Sequence, residues 1–224
     1  MTKPFIVCYM MTTIDGRIEC AMLEKLKGGD AYESIITDEL RTPSTLVGRV
    51  TAELEMATGK FKPTATPEPL GKQGFSKKVD AVHGYDIIVD TKGTLLWDKE
   101  NEKPYLIITG EQVSKEYLAY LDSKNISWIA CGEKTINLAK AVEILANEFK
   151  IDRLAVVGGT AINTAFLEAG LLDEISILIG PGIDGRKGFS PLFDGRATDK
   201  DPIQLKLKDV KKYDDGAVLI SYTV

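Results

Sequence analysis

Leu154-Ala155-Val156-Val157-Gly158-Gly159-Thr160-Ala161 is the stretch that decides the fold. Residues 153–157 are a run of strand length, apolar after Arg153, two glycines follow, and residues 160–171 are mostly apolar at helix length. A strand that runs through glycine into a helix needs a second strand beside it, and residues 174–179 supply one. This is the strand–helix–strand unit of a parallel sheet. Upstream the alternation repeats. Strands are expected at 5–11, 44–47, 85–90, 104–109 and 126–131, with helices at 30–41, 49–57, 113–124 and 137–149. Asp30 and Glu33 form a capping-box pattern at the first of these helices. Residues 20–29 read as irregular. Downstream the pattern changes: residues 204–213 and 217–224 flank Asp214-Asp215-Gly216, the signature of an antiparallel hairpin. The expected architecture is α/β, one domain over residues 1–224, with a mixed, mostly parallel sheet, flanking helices and a C-terminal hairpin. Residues 58–84, with Pro63, Pro67 and Pro69, many lysines and few large apolar residues, read as one long loop.

Composition narrows the function. The chain has 224 residues, 44% of them hydrophobic, with 28 Lys+Arg against 33 Asp+Glu, a formal net charge of −5. That acidity excludes the basic footprint of a general nucleic-acid binder. No run of eighteen apolar residues exists to span a membrane, and the N-terminus lacks the apolar stretch of a signal peptide. Three scattered cysteines (Cys8, Cys20, Cys131) and one histidine (His83) offer no spacing for a zinc site or a disulfide framework. The expectation is a reduced, cytoplasmic, metal-free protein with a small-molecule substrate. If it is an enzyme, a bound cofactor or the substrate carries the hard chemistry.

Two places join a strand end, glycine and a helix start. One is the opening stretch at Gly158-Gly159-Thr160-Ala161-Ile162; the other is Val47-Gly48-Arg49-Val50-Thr51. At a helix start the backbone N–H groups and the macrodipole favour an anion, and glycine admits a phosphate close to the backbone. Arg49 sits in a first turn, where a cation opposes the dipole unless an anion comes too. If the two strands are parallel neighbours, both helix starts lie at one carboxyl edge, where open α/β sheets bind ligands. The pair suits a dinucleotide pyrophosphate. Neither is a Gly-x-Gly-x-x-Gly fingerprint, since Asn163 stands where the third glycine would, nor a Walker loop.

With these motifs the chain resembles the reductase domain of the riboflavin-biosynthesis deaminase-reductases, which shares the dihydrofolate reductase fold. The resemblance rests on Thr13-Ile14-Asp15-Gly16-Arg17, Gly48-Arg49-Val50-Thr51, Ile88-Val89-Asp90-Thr91 and Val157-Gly158-Gly159-Thr160. It also rests on Ala169-Gly170-Leu171-Leu172-Asp173-Glu174-Ile175 and Gly182-Ile183-Asp184-Gly185-Arg186. It implies an NADPH-dependent reductase and a homodimer. The cofactor would be held by Gly48, Arg49, Thr51, Thr91, Gly158, Gly159, Thr160, Ala161 and Ile162. The implied reaction reduces the ribose of 5-amino-6-(5-phosphoribosylamino)uracil to ribityl. Three positions depart from those reductases: Val157 replaces a glutamate, Ala52-Glu53-Leu54-Glu55-Met56 replaces an Asp-Asp-Pro segment, and a tryptophan before the first helix is missing. A reductase of the same fold acting on a pterin or a small carbonyl, or a dinucleotide-binding module without turnover, therefore stays open.

Single residues divide between two roles. Asp15 is either a turn residue or a carboxylate at the site floor, catalytic or substrate-holding, with water as the other proton source. Arg41 is either a helix-terminal cation or a contact to substrate phosphate. Glu55 is either on an exposed helix face or a ribose or substrate contact. Asp184 and Arg186 read as a pair within their own loop.

Overall fold

The computed structural model describes residues 2–64, 66–98 and 101–224. Of the expected 1–224 domain, Met1, Ala65, Lys99 and Glu100 lie outside the described residues, Ala65 also falling in the expected 58–84 loop. The chain divides into two compact units. A central unit holds Ser44–Asp152 with the N-terminal residues through Pro4; a terminal unit holds Phe5–Pro43 and Arg153–Val224. The fold is α/β, and each unit carries a mixed, mostly parallel sheet.

In the terminal unit, strand Phe5–Thr12 lies between Arg153–Val156 and Glu174–Ile179, parallel to both. Val218–Thr223 then pairs antiparallel with Glu174–Ile179, and Lys206–Lys212 closes the edge. This is the expected hairpin. Seven of the eight residues of Phe5–Thr12 are buried, as the continuous apolar run of a strand covered on both faces requires. On one face Val7, Tyr9, Met11, Leu178 and Leu219 pack with Ile35, Ile36 and Leu40 into a single cluster.

The segment that supplies Ile35, Ile36 and Leu40 departs from the expected helix over 30–41. A short α-helical turn, Tyr32–Ser34, passes into a π-helix, Ile35–Glu39. Leu40 N–H donates to the Ile35 carbonyl at 2.8 Å, a five-residue bond. The widened turn brings Ile35 and Leu40 onto one face, so that both join Ile36 in the core. The N-cap position falls on Ala31 with no side-chain bond, so the Asp30–Glu33 capping box does not form. Residues read as irregular contain a short helix, Cys20–Leu23.

In the central unit, Ser44–Gly48, Asp86–Val89, Tyr105–Thr109 and Ser127–Ala130 run parallel in that order. Gly74–Ser76 adds an antiparallel edge to Ser127–Ala130. Within the expected loop, Gly59–Lys60 also pairs with Leu95–Leu96. Neither short strand has enough alternation to be legible in sequence. Helices Arg49–Glu55, Lys115–Ser123 and Leu138–Asn147 follow their strands. Ser114 and Asn137 cap the last two, accepting from Tyr117 N–H and Lys140 N–H.

Asp90 fastens the turn after Asp86–Val89. It is fully buried and accepts from Thr94 N–H and Thr94 Oγ1, and from Leu95 N–H at 3.0 Å. Asp90→Ala leaves two buried N–H groups without acceptors. The expected loss is about 3 kcal/mol, the scale of charge-assisted bonds, read as a lowered Tm in thermal unfolding; an unchanged Tm would mean the turn holds itself.

Candidate functional site

The parallel strands Phe5–Thr12 and Glu174–Ile179 end side by side at Thr12 and Ile179, while Arg153–Val156 ends earlier, with Val156 opposite Cys8. Three loops leave this edge: the 13–17 turn, the Gly158–Gly159 pair and the loop from Gly180. The first and third are stitched together. Asp15 accepts from Thr13 Oγ1 at 2.7 Å, and from Asp184 N–H and Gly185 N–H at 3.0 Å each. Ile14 N–H donates to the Gly182 carbonyl at 2.8 Å. The Thr13 hydroxyl, followed by the Gly185 and Asp184 N–H groups, stabilises the ionised carboxylate and lowers its pKa to about 2. Asp15 is therefore an ionised acceptor throughout the neutral range. Asp184 and Arg186 do pair, and Arg186 reaches on to Glu19 and lies over the Phe189 ring.

The same loop continues as a strap over the helix that follows the glycines. Gly159 is the N-cap of Thr160–Glu168; no side chain caps this end and the first turn carries no acid. The Thr160 hydroxyl donates to the Pro191 carbonyl, Asn163 Nδ2 donates to the Leu192 carbonyl at 3.1 Å, and Thr164 Oγ1 accepts from Asp194 N–H at 3.0 Å. From the other side Arg17 Nη1 donates to the Phe189 carbonyl, and the Gly16 carbonyl accepts from Leu192 N–H at 3.2 Å. Segment 182–194 thus spans from Asp15 and Arg17 to the first turn of this helix. Gly158 has φ +119°, open in practice to glycine alone, and its peptide bond to Gly159 is cis. Ala161 is exposed and Ile162 buried.

In the central unit, Gly48 ends strand Ser44–Gly48 and is the N-cap of Arg49–Glu55, again without a side-chain cap. Arg49 is exposed and pairs with Glu53 one turn on, which also holds Lys60 at 2.8 Å. Thr51 is half-buried on the same short helix. Thr91 follows the adjacent parallel strand, Asp86–Val89, and is exposed at the same edge of this unit's sheet.

The model of the RibD C-terminal domain matches residues 4–219. The chain belongs to the RibD C-terminal domain family. A curated relative, the 2,5-diamino-6-ribosylamino-4(3H)-pyrimidinone 5′-phosphate reductase of Methanothermobacter thermautotrophicus, is 32% identical over 127 residues. That alignment covers 55% of this chain and 57% of the relative, so the match spans little more than half of either. A pyrimidine reductase-like protein of Corynebacterium diphtheriae superposes with a TM-score of 0.68 at 18% identity, over 99% of this chain and 92% of the other. A riboflavin biosynthesis reductase of Saccharomyces cerevisiae superposes with a TM-score of 0.65 at 18% identity, over 99% and 90%. At these identities the two structures share the fold.

Within this RibD C-terminal domain the candidate residues fall into groups. Asp15 and, separately, Thr160 beside Gly158 and Gly159 are bonded to the same 182–194 segment of the terminal unit. Gly48, Arg49, Thr51 and Thr91 meet at one edge of the central unit. Arg41 lies in the terminal unit toward the end of its strands opposite Gly158. Its neighbour Leu40 accepts, through its carbonyl, from Arg153 Nε at 2.9 Å, and Arg153 begins the strand whose far end leads to Gly158. Arg41 also lies beyond the helical segment, with φ 51°. Glu55 is exposed at the last position of its helix. Arg17, Asn163 and the 187–194 strap were not singled out from the sequence. Only Arg17 had a signal there, as the last residue of the Asp-Gly-Arg turn. Among the described residues no helix is long and apolar enough to cross a membrane, and no group of three or more His, Cys, Asp or Glu is placed to hold a metal.

Proposed function

We propose that this chain is an NADPH-dependent reductase of a ribosylaminopyrimidine 5′-phosphate, the substrate class in the name of its curated relative. The observation that carries the reading is an uncapped, acid-free helix start at Gly159 in a RibD C-terminal domain. That donor set fits a pyrophosphate. Gly158, Gly159, Thr160, Ala161 and Ile162 would hold the pyrophosphate side of the dinucleotide, and Gly48, Arg49, Thr51 and Thr91 its adenosine phosphate. NADPH, when bound, supplies a hydride. The chain's part is to orient the acceptor carbon of the ring-opened ribose and to keep the strap over the helix start. Asp15, ionised and already accepting three hydrogen bonds, holds the loop from Gly182; the proton that completes the reduction comes from water. The proposal includes a cytoplasmic location and a homodimer, which the resemblance implies.

The decisive measurement is NADPH oxidation with 2,5-diamino-6-ribosylamino-4(3H)-pyrimidinone 5′-phosphate and, separately, with its deaminated uracil counterpart. Turnover of either supports the reading. NADPH binding with no turnover of these, pterins or small carbonyls favours a module without catalysis.

Cofactor choice tests Arg49. Its guanidinium is exposed and shared with Glu53, so a 2′-phosphate needs only to compete with a surface pair worth little. Arg49→Ala is expected to weaken NADPH binding by about 1.5–3 kcal/mol and NADH binding by less, measured by fluorescence titration. Equal affinities of the parent protein for NADPH and NADH would overturn the assignment.

A further inference from the structure

Two cations of the central unit converge on one carboxylate. Arg49 follows Gly48, and Gly48 is paired with Val89, the last residue of the neighbouring parallel strand. Asp90 and Thr91 follow Val89, so Arg49 and Thr91 leave the sheet at the same edge. The turn that carries Thr91 is the one Asp90 fastens, and it returns as strand Leu95–Leu96. Gly59–Lys60 pairs antiparallel with that strand, Lys60 opposite Leu95, and Phe61 N–H donates to the Thr94 carbonyl at 2.8 Å. This short strand sets Lys60 beside the helix that begins at Arg49. The Lys60 ammonium meets Glu53 Oε1 at 2.8 Å, and Arg49 Nη1 meets Glu53 Oε2 at 2.5 Å.

Each oxygen of the Glu53 carboxylate therefore holds one cation. Lys60, then Arg49, stabilise its ionised form and hold its pKa below the ordinary glutamate range. The cluster carries two positive charges against one negative. The Arg49 and Lys60 side chains are 44% and 65% exposed, so both can turn donors outward to a ligand. Cations placed on two oxygens of a carboxylate are also placed for two oxygens of a phosphate. A phosphomonoester brings more negative charge and a third acceptor oxygen. The exposed pairs that it must displace contribute little. A 2′-hydroxyl has neither the charge nor the oxygens to displace Glu53.

Resting on the NADPH reading above, we infer that Lys60 is a second ligand of the 2′-phosphate beside Arg49, and that Glu53 is the internal anion this phosphate displaces. Lys60 and Arg49 then bind the phosphate from two sides, next to Thr91. Glu53 sets the selectivity from the other direction. It occupies the two cations while the site is empty, and its charge opposes any anion that enters.

The test is calorimetric titration of the full chain, at low salt, with adenosine 2′,5′-bisphosphate and with adenosine 5′-monophosphate. These ligands differ in the 2′-phosphate alone and need no turnover. The parent is expected to prefer the bisphosphate at least about 10-fold. Lys60→Ala should lower bisphosphate affinity about 10-fold, the scale of one charged hydrogen bond, and leave the monophosphate within about 2-fold. Lys60→Arg keeps the charge and should restore most of the preference. Glu53→Gln removes the competing anion and should raise bisphosphate affinity about 3-fold or more, an effect that added salt reduces. A preference that survives intact in Lys60→Ala overturns the inference and leaves the NADPH reading standing. Equal loss of both ligands in Lys60→Ala makes Lys60 a structural residue and overturns it too. So does a Glu53→Gln variant that binds the bisphosphate no better than the parent, which decides the matter even if Lys60→Ala fails to fold. A parent that binds both ligands alike, or neither, overturns the inference together with the Arg49 assignment. NADPH oxidation with the pyrimidine substrates then reports separately on the reductase reading.

Discussion

Gly159→Val is expected to weaken NADPH binding at least 100-fold while circular dichroism and Tm stay native. Gly159 has φ −88° and ψ −167°, extended backbone that any residue adopts. Its backbone angles therefore accept a side chain. It stands at the N-cap of Thr160–Glu168, where a phosphate would meet the first-turn N–H groups, and a branched side chain occupies that approach. Gly158→Ala is the contrasting variant. At φ +119° an alanine is strained, a cost of about 1–3 kcal/mol, and its Cβ would lie 3.2 Å from Met10 Cε. The two neighbours should therefore separate cleanly, with Gly158 read out mainly as stability and Gly159 mainly as cofactor affinity. Isothermal titration with NADPH beside thermal unfolding distinguishes them. Normal binding by Gly159→Val would reduce the glycine pair to a turn.

The strand–helix alternation was legible because the buried strands are short and mostly apolar; 5–11 and 105–109, each preceded by proline, needed nothing more. The hairpin was legible from Asp214-Asp215-Gly216. What the sequence hides is whatever tertiary contact decides. The capping-box pattern at Asp30 and Glu33 is a local preference, overridden because Ile35, Ile36 and Leu40 are all drawn into one core and the turn widens to admit them. The division into two compact units is a matter of contacts between distant segments, which periodicity along the chain does not record. The register shift between Leu207 and Asp209 is likewise invisible until the pairing with Val218–Thr223 is known.

The site was legible in its glycines and its Asp-Gly-Arg turn, since those residues announce backbone geometry. Its wiring was not. Asp15 and Asp184 are 169 positions apart in the chain, and Asn163 reaches a carbonyl of the strap 29 positions on. Neither bond leaves a mark in spacing. The placing of Arg41 is likewise hidden: the sequence puts a cation at an expected helix end, and the chain sets it beside Leu40, whose carbonyl is tied to the start of strand Arg153–Val156.

Asp15→Asn is expected to lower turnover about 100-fold, the scale on which small misplacements of a site cost rate. The carboxylate presents acceptors to Asp184 N–H, Gly185 N–H and the Thr13 hydroxyl together. Asparagine keeps one acceptor oxygen and turns an NH₂ toward the remaining donors, so at least one loop N–H is released. The loop from Gly182 leads into the strap that lies on Thr160 and Asn163; freeing its start loosens the strap at the helix start. Hydrogen exchange should rise across 182–194 and stay unchanged in the central unit. NADPH affinity should fall less than turnover, because the glycine pair and its helix are intact. The pH response follows from the depressed pKa. The native carboxyl titrates at about 2 against 3.8 for an unperturbed aspartate, so its hold on the loop is complete above about pH 4 and is lost as pH falls through 2. Between pH 5 and 8 neither the parent's strap protection nor its rate should show an Asp15 titration. A rate step in that range that Asp15→Asn abolishes would instead make this carboxyl the proton donor, and a normal rate in Asp15→Asn would leave it a turn residue without bearing on the reaction.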